Sequence, residues 1–395
     1  MKTDFDIVVS GGGVAGLTAA ALFGSAGFRV LCVDPAPPIT ERDADGADLR
    51  STAFLQPSVQ VLERAGVWHG LNAHATPLQT MRIIDADETG PRKTRDFDAS
   101  DISELPFGWN LPNWLIRREL VARLEALDTV TFRPGVKSET MLARSALAKL
   151  RLSSGESVTA KLVIAADGRG SGLRDGANIS VKTQRYGQKA LAFAVTHDLP
   201  HNNISTEIHR TGGPFTLVPL PDYEGKPSSA IVWMEDGATA QALYALDEQD
   251  FNTAMTERSA HVMGALRLAS RRTIWPIISQ IAERFSARRL ALVAEAAHVV
   301  PPIGAQGLNM SLADLQTLLD LAAMHDLGGS AMLDAYDRAR RTQVRLRVAG
   351  IDLLNRTSQS DMDWLREMRS WGIGVLHDAT PIRKTVMQMG LGLKS

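Results

Sequence analysis

Four short runs are apolar at every position: Ile7 to Val9, Val30 to Val33, Leu162 to Ala166 and Leu290 to Val293. Runs without alternation suit strands covered on both faces, as in a parallel sheet flanked by helices. Between them lie stretches with apolar residues three and four apart, the spacing of a helix with one face on a core. Trp114 to Leu127 (WLIRRELVARLEAL) is the clearest, with Leu55 to Ala65 and a longer segment from about Gly304 to Ala323 beside it. From Lys182 to Arg272 the texture changes. Leu191 to Thr196, Ser205 to His209, Phe215 to Pro219 and Ala230 to Met234 read as strands joined by Pro- and Gly-bearing turns, with one helical interruption at Gln241 to Glu257. That pattern predicts an antiparallel sheet with a helix, set into α/β surroundings. Gln79 to Asp85 adds a strand, and Ala148 to Leu152 pairs with Val158 to Ala166. Pro35 to Arg50 and Glu88 to Asp101 are polar and turn-like, and Ser330 to Lys394 is helical, basic and apolar together.

The first run carries the strongest chemical signal. It ends in Gly11-Gly12-Gly13 and passes into Val14-Ala15-Gly16-Leu17, which places Gly11, Gly13 and Gly16 at G-x-G-x-x-G spacing. One glycine permits a sharp turn, one lets backbone approach a pyrophosphate, and one lets helix and strand pack closely. The helix start then offers free N–H groups and a positive dipole end to phosphates. The second run ends at Asp34, eighteen residues past Gly16, where an acid can bind a ribose hydroxyl. A lone glycine motif is an ordinary βα turn; with the strand, the helix and the acid in place it predicts a dinucleotide site.

Composition narrows the classes. At 395 residues the chain can bury a substantial core and is expected to form two domains, or one large domain with an insertion. Forty-three basic residues against 44 acidic ones leave a net charge of −1, which gives nucleic-acid binding no footing. Cys32 is the only cysteine, which removes intramolecular disulfides and a cysteine metal cluster, and no metal site is expected. Val8 to Ala26 is apolar enough to imitate a membrane helix, but its five glycines fit the strand–turn–helix reading better. MKTDFD lacks a signal-peptide pattern, so a cytoplasmic, reduced setting is expected.

Two further stretches stand where an apolar strand stops. In Ala166-Asp167-Gly168-Arg169-Gly170-Ser171-Gly172-Leu173-Arg174 a carboxylate followed by glycines sits at the crevice where doubly wound sheets bind ligands, although an Asp-Gly turn occurs anywhere. In Glu295-Ala296-Ala297-His298, then Pro301-Pro302-Ile303-Gly304-Ala305-Gln306-Gly307-Leu308-Asn309, an acid precedes a proline-stiffened turn and a helix start. Free N–H groups there could hold an anionic oxygen, as a reduced flavin ring needs near its pyrimidine edge. His298 has no second ligand-spaced histidine nearby and reads as a side chain satisfied by local backbone.

Taken in order, GGGVAG, Arg50, Arg117 within IRRELVARL, IAADGRGSGLR and LVAEAAHVVPPIGAQGLNM resemble the class A flavin monooxygenases. The last stretch is similar to the flavin motif of 4-hydroxybenzoate hydroxylase, and HxxPPxGxQGLN with the C-terminal helices resembles the ubiquinone-biosynthesis aromatic hydroxylases. The resemblance spans nearly the whole chain. It implies an α/β fold: a Rossmann-like FAD-binding domain of the 4-hydroxybenzoate hydroxylase type with an interleaved antiparallel-sheet substrate domain and C-terminal helices. The FAD-binding domain would comprise residues 1–75, 106–181 and 273–345, the substrate domain 76–105 and 182–272, and the helical region 346–395. The resemblance places the FAD pyrophosphate on Gly11, Gly13 and Gly16, with Val14 and Ala15 at the helix start, and the adenosine ribose on Asp34. Arg50 and Arg117 would reach the pyrophosphate and ribityl region, Asp167 would serve FAD and transient nicotinamide, and Glu295 would bind the ribityl chain. The loop Gly304 to Asn309, including Gln306, Gly307 and Leu308, would line the isoalloxazine. One departure is visible: Ala294-Glu295 stands where the family usually has Gly-Asp, adding a methylene to the acid and narrowing the backbone options.

The implied chemistry belongs mainly to the cofactor. NAD(P)H would reduce FAD, O2 would add at the flavin C4a as a hydroperoxide, and the distal oxygen would pass to an electron-rich aromatic ring, a polyprenylated phenol or benzoquinone precursor in ubiquinone biosynthesis. Specificity would come from the sheet of residues 182–272, with Phe215 to Pro219 as one wall of an apolar pocket. No residue stands out as the acid or base that ionises a phenol. The alternatives are a flavin-dependent reductase on the same fold and a non-catalytic partner in a biosynthetic complex; a serine hydrolase is unsupported because G-x-S-x-G is absent. Trp364, Leu365, Met368, Trp371, Val375 and Leu376 recur at helical spacing with Arg366, Arg369, Arg383 and Lys384 nearby. That face suits peripheral contact with the inner membrane or a polyprenyl-bearing partner, though a place on the protein's own core or a dimer mate accounts for it somewhat better.

Overall fold

The four apolar runs are neighbours in one sheet. The computed structural model describes residues 3–87, 89–210 and 212–358, together with 384 and 387. Strand β1 (Phe5–Ser10) lies inside the sheet because Ile7, Val8 and Val9 leave neither face fit for water, and all three are fully buried. It pairs in parallel with β2 (Val30–Asp34) on one side and Ser157–Ala165 on the other, and Leu290–Leu292 continues in parallel beyond that. Val130–Pro134 extends the sheet past β2. Helix α1 (Val14–Ser25) makes the crossover from β1 to β2, and Ala148–Leu152 forms the expected antiparallel pair with Ser157–Ala165. The parallel strands point the same way, so the loops after β1, Ser157–Ala165 and Leu290–Leu292 gather at one edge.

The second sheet is built on the long strand Val181–His197, paired antiparallel with Lys226–Asp236 and Thr273–Ala282. Pro214–Tyr223, Ile204–His209, Thr80–Asp87 and Gly90–Asp98 follow outward. The last of these corrects the turn-like reading of 88–101. Gly90–Asp98 is an edge strand whose exposed Arg92 and Lys93 show no hydrophobic alternation, so only its pairing with Thr80–Asp87 reveals it. The single helical interruption is two helices, Gly237–Ala245 and Glu248–Arg258, the second capped by the Asp247 side chain. Ser51–Leu55 is a strand in a small third sheet with Gly108–Pro112 and Thr76–Leu78, and the helix it leads into is Gln56–Arg64.

Alternation along the second sheet sorts its two faces. Leu191, Phe193, Val195, Ile231, Trp233, Phe215 and Leu217 pack with Phe251 and Met255 of the covering helix. The opposite face carries Ala190, Met234 and Ile277, which pack on Ile303 and Val300 of the loop after Leu290–Leu292 and on Ile351 of the long helix Ser330–Ser358. That face therefore looks onto the loops at the edge of the first sheet. The face from Trp364 to Leu376, with Arg383, lies outside the described residues. No helix among the described residues is long and apolar enough to cross a membrane.

Candidate cofactor site

Gly11 leaves β1 at φ +115°, and a Cβ there would lie 2.2 Å from the Ala166 carbonyl oxygen and 2.9 Å from the Asp167 nitrogen. The first glycine thus lets the first and second motif loops touch. Gly16 is the close-packing glycine, since a Cβ on it would come within 1.9 Å of the Gly11 carbonyl oxygen. Gly13 is different, because nothing lies within 4 Å of its missing Cβ, and it caps α1 with no side-chain acceptor. The first N–H groups of α1, from Val14 to Gly16, therefore keep the open approach that a diphosphate requires. Asp34 accepts from the Gly12 N–H through Oδ2 and from the Ala36 N–H through Oδ1 at 2.8 Å, which pins the glycine loop to the end of β2.

At the second motif, Asp167 Oδ2 accepts from the Leu173 N–H at 3.4 Å, while Oδ1 is buried with no partner. Burial pushes this carboxyl above the ordinary aspartate range. A buried acceptor with nothing to accept from is what a ligand hydroxyl completes. Arg174, itself buried, donates to the carbonyls of Arg169 at 3.0 Å and Ala296 at 3.3 Å, fastening the second motif to the third.

In the third motif Ala294–Ala296 forms a single 3-10 turn with Ala294 at φ +53°. The residue that replaces the family's glycine therefore sits in the left-handed region where glycine costs least. The turn leaves Glu295 exposed between buried neighbours. The Ala294 N–H donates to Asp314 Oδ2 at 3.3 Å, His298 Nε2 lies 2.7 Å from the same oxygen, and Arg340 Nε donates to Oδ1 at 2.7 Å. His298 is thus held by a buried carboxylate rather than by local backbone. The sequence separation of 16 residues hid that partner.

Arg50 and Arg117 converge on a residue the sequence reading missed. Arg50 makes a two-pronged pair with Asp48, both contacts at 2.7 Å, while Arg117 approaches at 3.5 Å and the Asn113 amide donates at 3.0 Å. Burial pushes the Asp48 carboxyl up, but Arg50, Asn113 and Arg117 outweigh it and hold it below the ordinary range. The Arg50 charge is reinforced first by Asp48 and then by the more distant Glu295, and its guanidinium lies 5.5 Å over the Trp275 ring. Arg50 so stands where the third motif and the second sheet meet.

The stretch expected to be a loop, Gly304 to Asn309, is a turn followed by the first residues of the helix Gln306–Ala322, and its polar side chains are taken by protein partners. Gln306 donates to the Gly304 carbonyl at 2.9 Å and accepts from Arg347 at 2.6 Å. Asn309 donates to the carbonyls of Ala53 and Ala305 and accepts from the Leu55 N–H at 2.9 Å, stitching the helix Gln306–Ala322 to the small sheet. Leu308 packs on the main core. What the loop offers a ligand is its backbone: Ala305 caps the helix at φ +55° with no side-chain acceptor, leaving the N–H groups at Gln306 and Gly307 without one. The Phe215 to Pro219 wall needs correction. Phe215 and Leu217 point into the core beneath the helices, while Val218 clusters with Ala194, Ala230 and Leu220 on the face toward the loops. Period-two alternation had no marker in the sequence to say which half faced which way.

Residues 4–349 match the family model described as FAD binding domain. Over 98% of its length the chain is 29% identical to the ubiquinone hydroxylase UbiL of Rhodospirillum rubrum, covering 89% of that protein. It is 26% identical to the 3-demethoxyubiquinol 3-hydroxylase of Escherichia coli, with 98% of each chain covered. The fold is shared with p-nitrophenol 4-monooxygenase PnpA from Pseudomonas putida DLL-E4, at a TM-score of 0.79, 19% identity and 99% coverage of both chains. With the glycine cradle, the unpartnered Asp167 oxygen and the three loops at one sheet edge, the match over nearly the whole chain shows that this protein belongs to the FAD binding domain family, the group of class A FAD-dependent aromatic monooxygenases.

Proposed function

We propose that the chain hydroxylates the aromatic ring of a polyprenylated phenol or benzoquinone precursor of ubiquinone, using NAD(P)H and O2. The observation that carries this reading is the mainly apolar sheet face, with its row of alanines, set against the cofactor loops. Ala190, Ala192, Ala194 and Ala230 alternate toward that side, and alanines leave room for a flat ring where larger residues would close it. The ubiquinone hydroxylases among its relatives support the substrate class.

FAD, when bound, supplies the redox and oxygen chemistry. The chain's part is binding and orientation. The α1 start would take the diphosphate, Asp34 the adenosine ribose, and Asp167 Oδ1 and Glu295 the hydroxyls between. Arg50 and Arg117, pre-set on Asp48, would add positive charge beside the phosphates. The uncapped N-terminus of Gln306–Ala322 would offer N–H groups to the pyrimidine edge of the ring system.

The purified protein should be yellow and release one FAD per chain. Supplied with NAD(P)H and a short-tailed prenylphenol under ¹⁸O₂, it should place one heavy oxygen on the ring. Reduction of a double bond without label would establish the reductase alternative. A colourless protein that gains no flavin spectrum in excess FAD would favour the non-catalytic one. Quinone-intermediate analysis in a deletion strain then identifies the step.

A further inference from the structure

The sheet face toward the cofactor loops is mainly apolar until its outer strands, with Ala190, Ala192, Ala194 and Ala230 beside Val232, Met234 and Trp275. In register across the sheet, Ala192 pairs with Val232, Val232 with Thr216, and Thr216 with Glu207. Paired residues share a face. Glu207 therefore stands on the same face as Ala192, one strand beyond Thr216 and about 10 Å from Val232 at ordinary strand spacing. His209, two residues along the same strand, shares it too. Its Nε2 lies 2.8 Å from Glu207 Oε1.

Both side chains are deeply buried, at 8% exposure for His209 and 9% for Glu207. A buried carboxylate and imidazole are costly on such a face, and the strand's own ladder uses neither side chain. Asp85 stands opposite His209 on the neighbouring strand. From the other face Arg258 donates to the carbonyls of Ile208 and Gly213, with Glu235 beside it. None of these groups bonds to His209 Nδ1, which is buried without a hydrogen-bond partner. With Nε2–H given to the Glu207 carboxylate, Nδ1 carries the lone pair and can only accept.

We propose that His209, oriented by Glu207, is the proton acceptor for the ring hydroxyl of the substrate. The assignment rests on the hydroxylase reading above. In the step, the phenolic O–H bond breaks and Nδ1–H forms, and the electron pair stays on the phenolate oxygen, where it enriches the ring toward an electrophilic oxygen. The imidazolium is held by Glu207 through Nε2–H, and the proton passes back to the product oxygen at the end of turnover. Glu207 is a positioning residue that fixes the tautomer.

The test uses the FAD-loaded full chain with 2-geranylphenol and its methyl ether, which fills the same space without a proton to give. His209→Gln is expected to lower kcat on the phenol about 100-fold or more, the scale of a lost general base, with FAD content and ether affinity unchanged. Glu207→Gln keeps the shape and should lower kcat about tenfold with KM nearly constant, and it carries the test if the first variant misfolds. Phenol turnover close to wild type in the folded variants overturns the assignment. So does an equal loss of affinity for phenol and ether, which would make the pair a mere wall. Wild-type protein that binds FAD but leaves the phenol unchanged defeats the hydroxylase reading instead, and the assignment with it.

Discussion

Asp314 is the residue whose loss should reach furthest through the site. It is fully buried and accepts from His298, Arg340 and the Ala294 N–H. One carboxylate thus ties the helix Gln306–Ala322 to the helix Ser330–Ser358 and to the turn that presents Glu295. Asp314→Asn keeps the size but offers one oxygen in place of two, and sets an amide N–H against either the Arg340 or the His298 donor. It also leaves the buried Arg340 cation facing a neutral group. Breaking one side of a buried pair costs roughly 3–5 kcal/mol, against a total of roughly 5–15 for a folded domain. Denaturant unfolding followed by circular dichroism and by flavin release should show that loss, with FAD leaving before the bulk transition because the Glu295 turn loosens first. The sign with pH follows from the shift. Burial pushes Asp314 up, but His298 and Arg340 outweigh it and its carboxyl is depressed. Its stabilisation is present above the unfolded pKa and lost as pH falls through the folded one, so Asp314→Asn should flatten the acid limb of the stability curve. Asp314→Leu combined with Arg340→Met should recover most of the loss, since removing both charges leaves neither unpaired. A single Asp314→Asn loss below about 1 kcal/mol, the scale of one ordinary hydrogen bond, would refute the reasoning.

Ala294→Gly should stabilise the fold by about 0.5–1 kcal/mol, because the left-handed backbone costs an alanine roughly 1–2 and glycine returns part of that as unfolded-state freedom; Ala313→Gly, inside a helix, should lose about 1 by the same denaturation assay. Glu295→Ala should weaken FAD binding roughly ten- to a hundredfold in a fluorescence titration, the worth of one charge-assisted hydrogen bond, and unchanged affinity would make this acid a bystander. Glu295→Asp separates adaptation from tolerance: weaker binding than wild type shows a turn fitted to the longer side chain. Asp167→Asn should stabilise the FAD-free protein at neutral pH while weakening FAD binding. The raised carboxyl of Asp167 makes the native state hold its proton longer, so its penalty grows as pH rises from the unfolded toward the folded pKa, and the variant removes that slope.

The sequence revealed most where the chemistry is local. The turn at Gly11, the open, uncapped start of α1 and the position of Asp34 follow from residues within one βα unit, and the unbroken apolar runs identified the parallel strands. It revealed least where a residue is defined by what meets it from afar. Asp48 reads as part of a polar loop until Arg117, 69 residues on, is brought to it. The D-x-R spacing of Asp48 and Arg50 was the one local sign. Asp314 left a better clue: a lone acid among Leu312, Leu315, Leu318 and Leu319 on a helix bound for the core must have a cation waiting. The faces of the second sheet show the limit most clearly. Alternation separates Phe215 and Leu217 from Thr216 and Val218 but is silent on which pair faces the loops of the first sheet, and only the packing of Ile303 against Ala190 and Met234 decides it. Glu207 and His209 look like ordinary polar strand residues until that face is known. What a sheet face can meet is set by orientation, and orientation is a property of the whole fold rather than of any stretch of it.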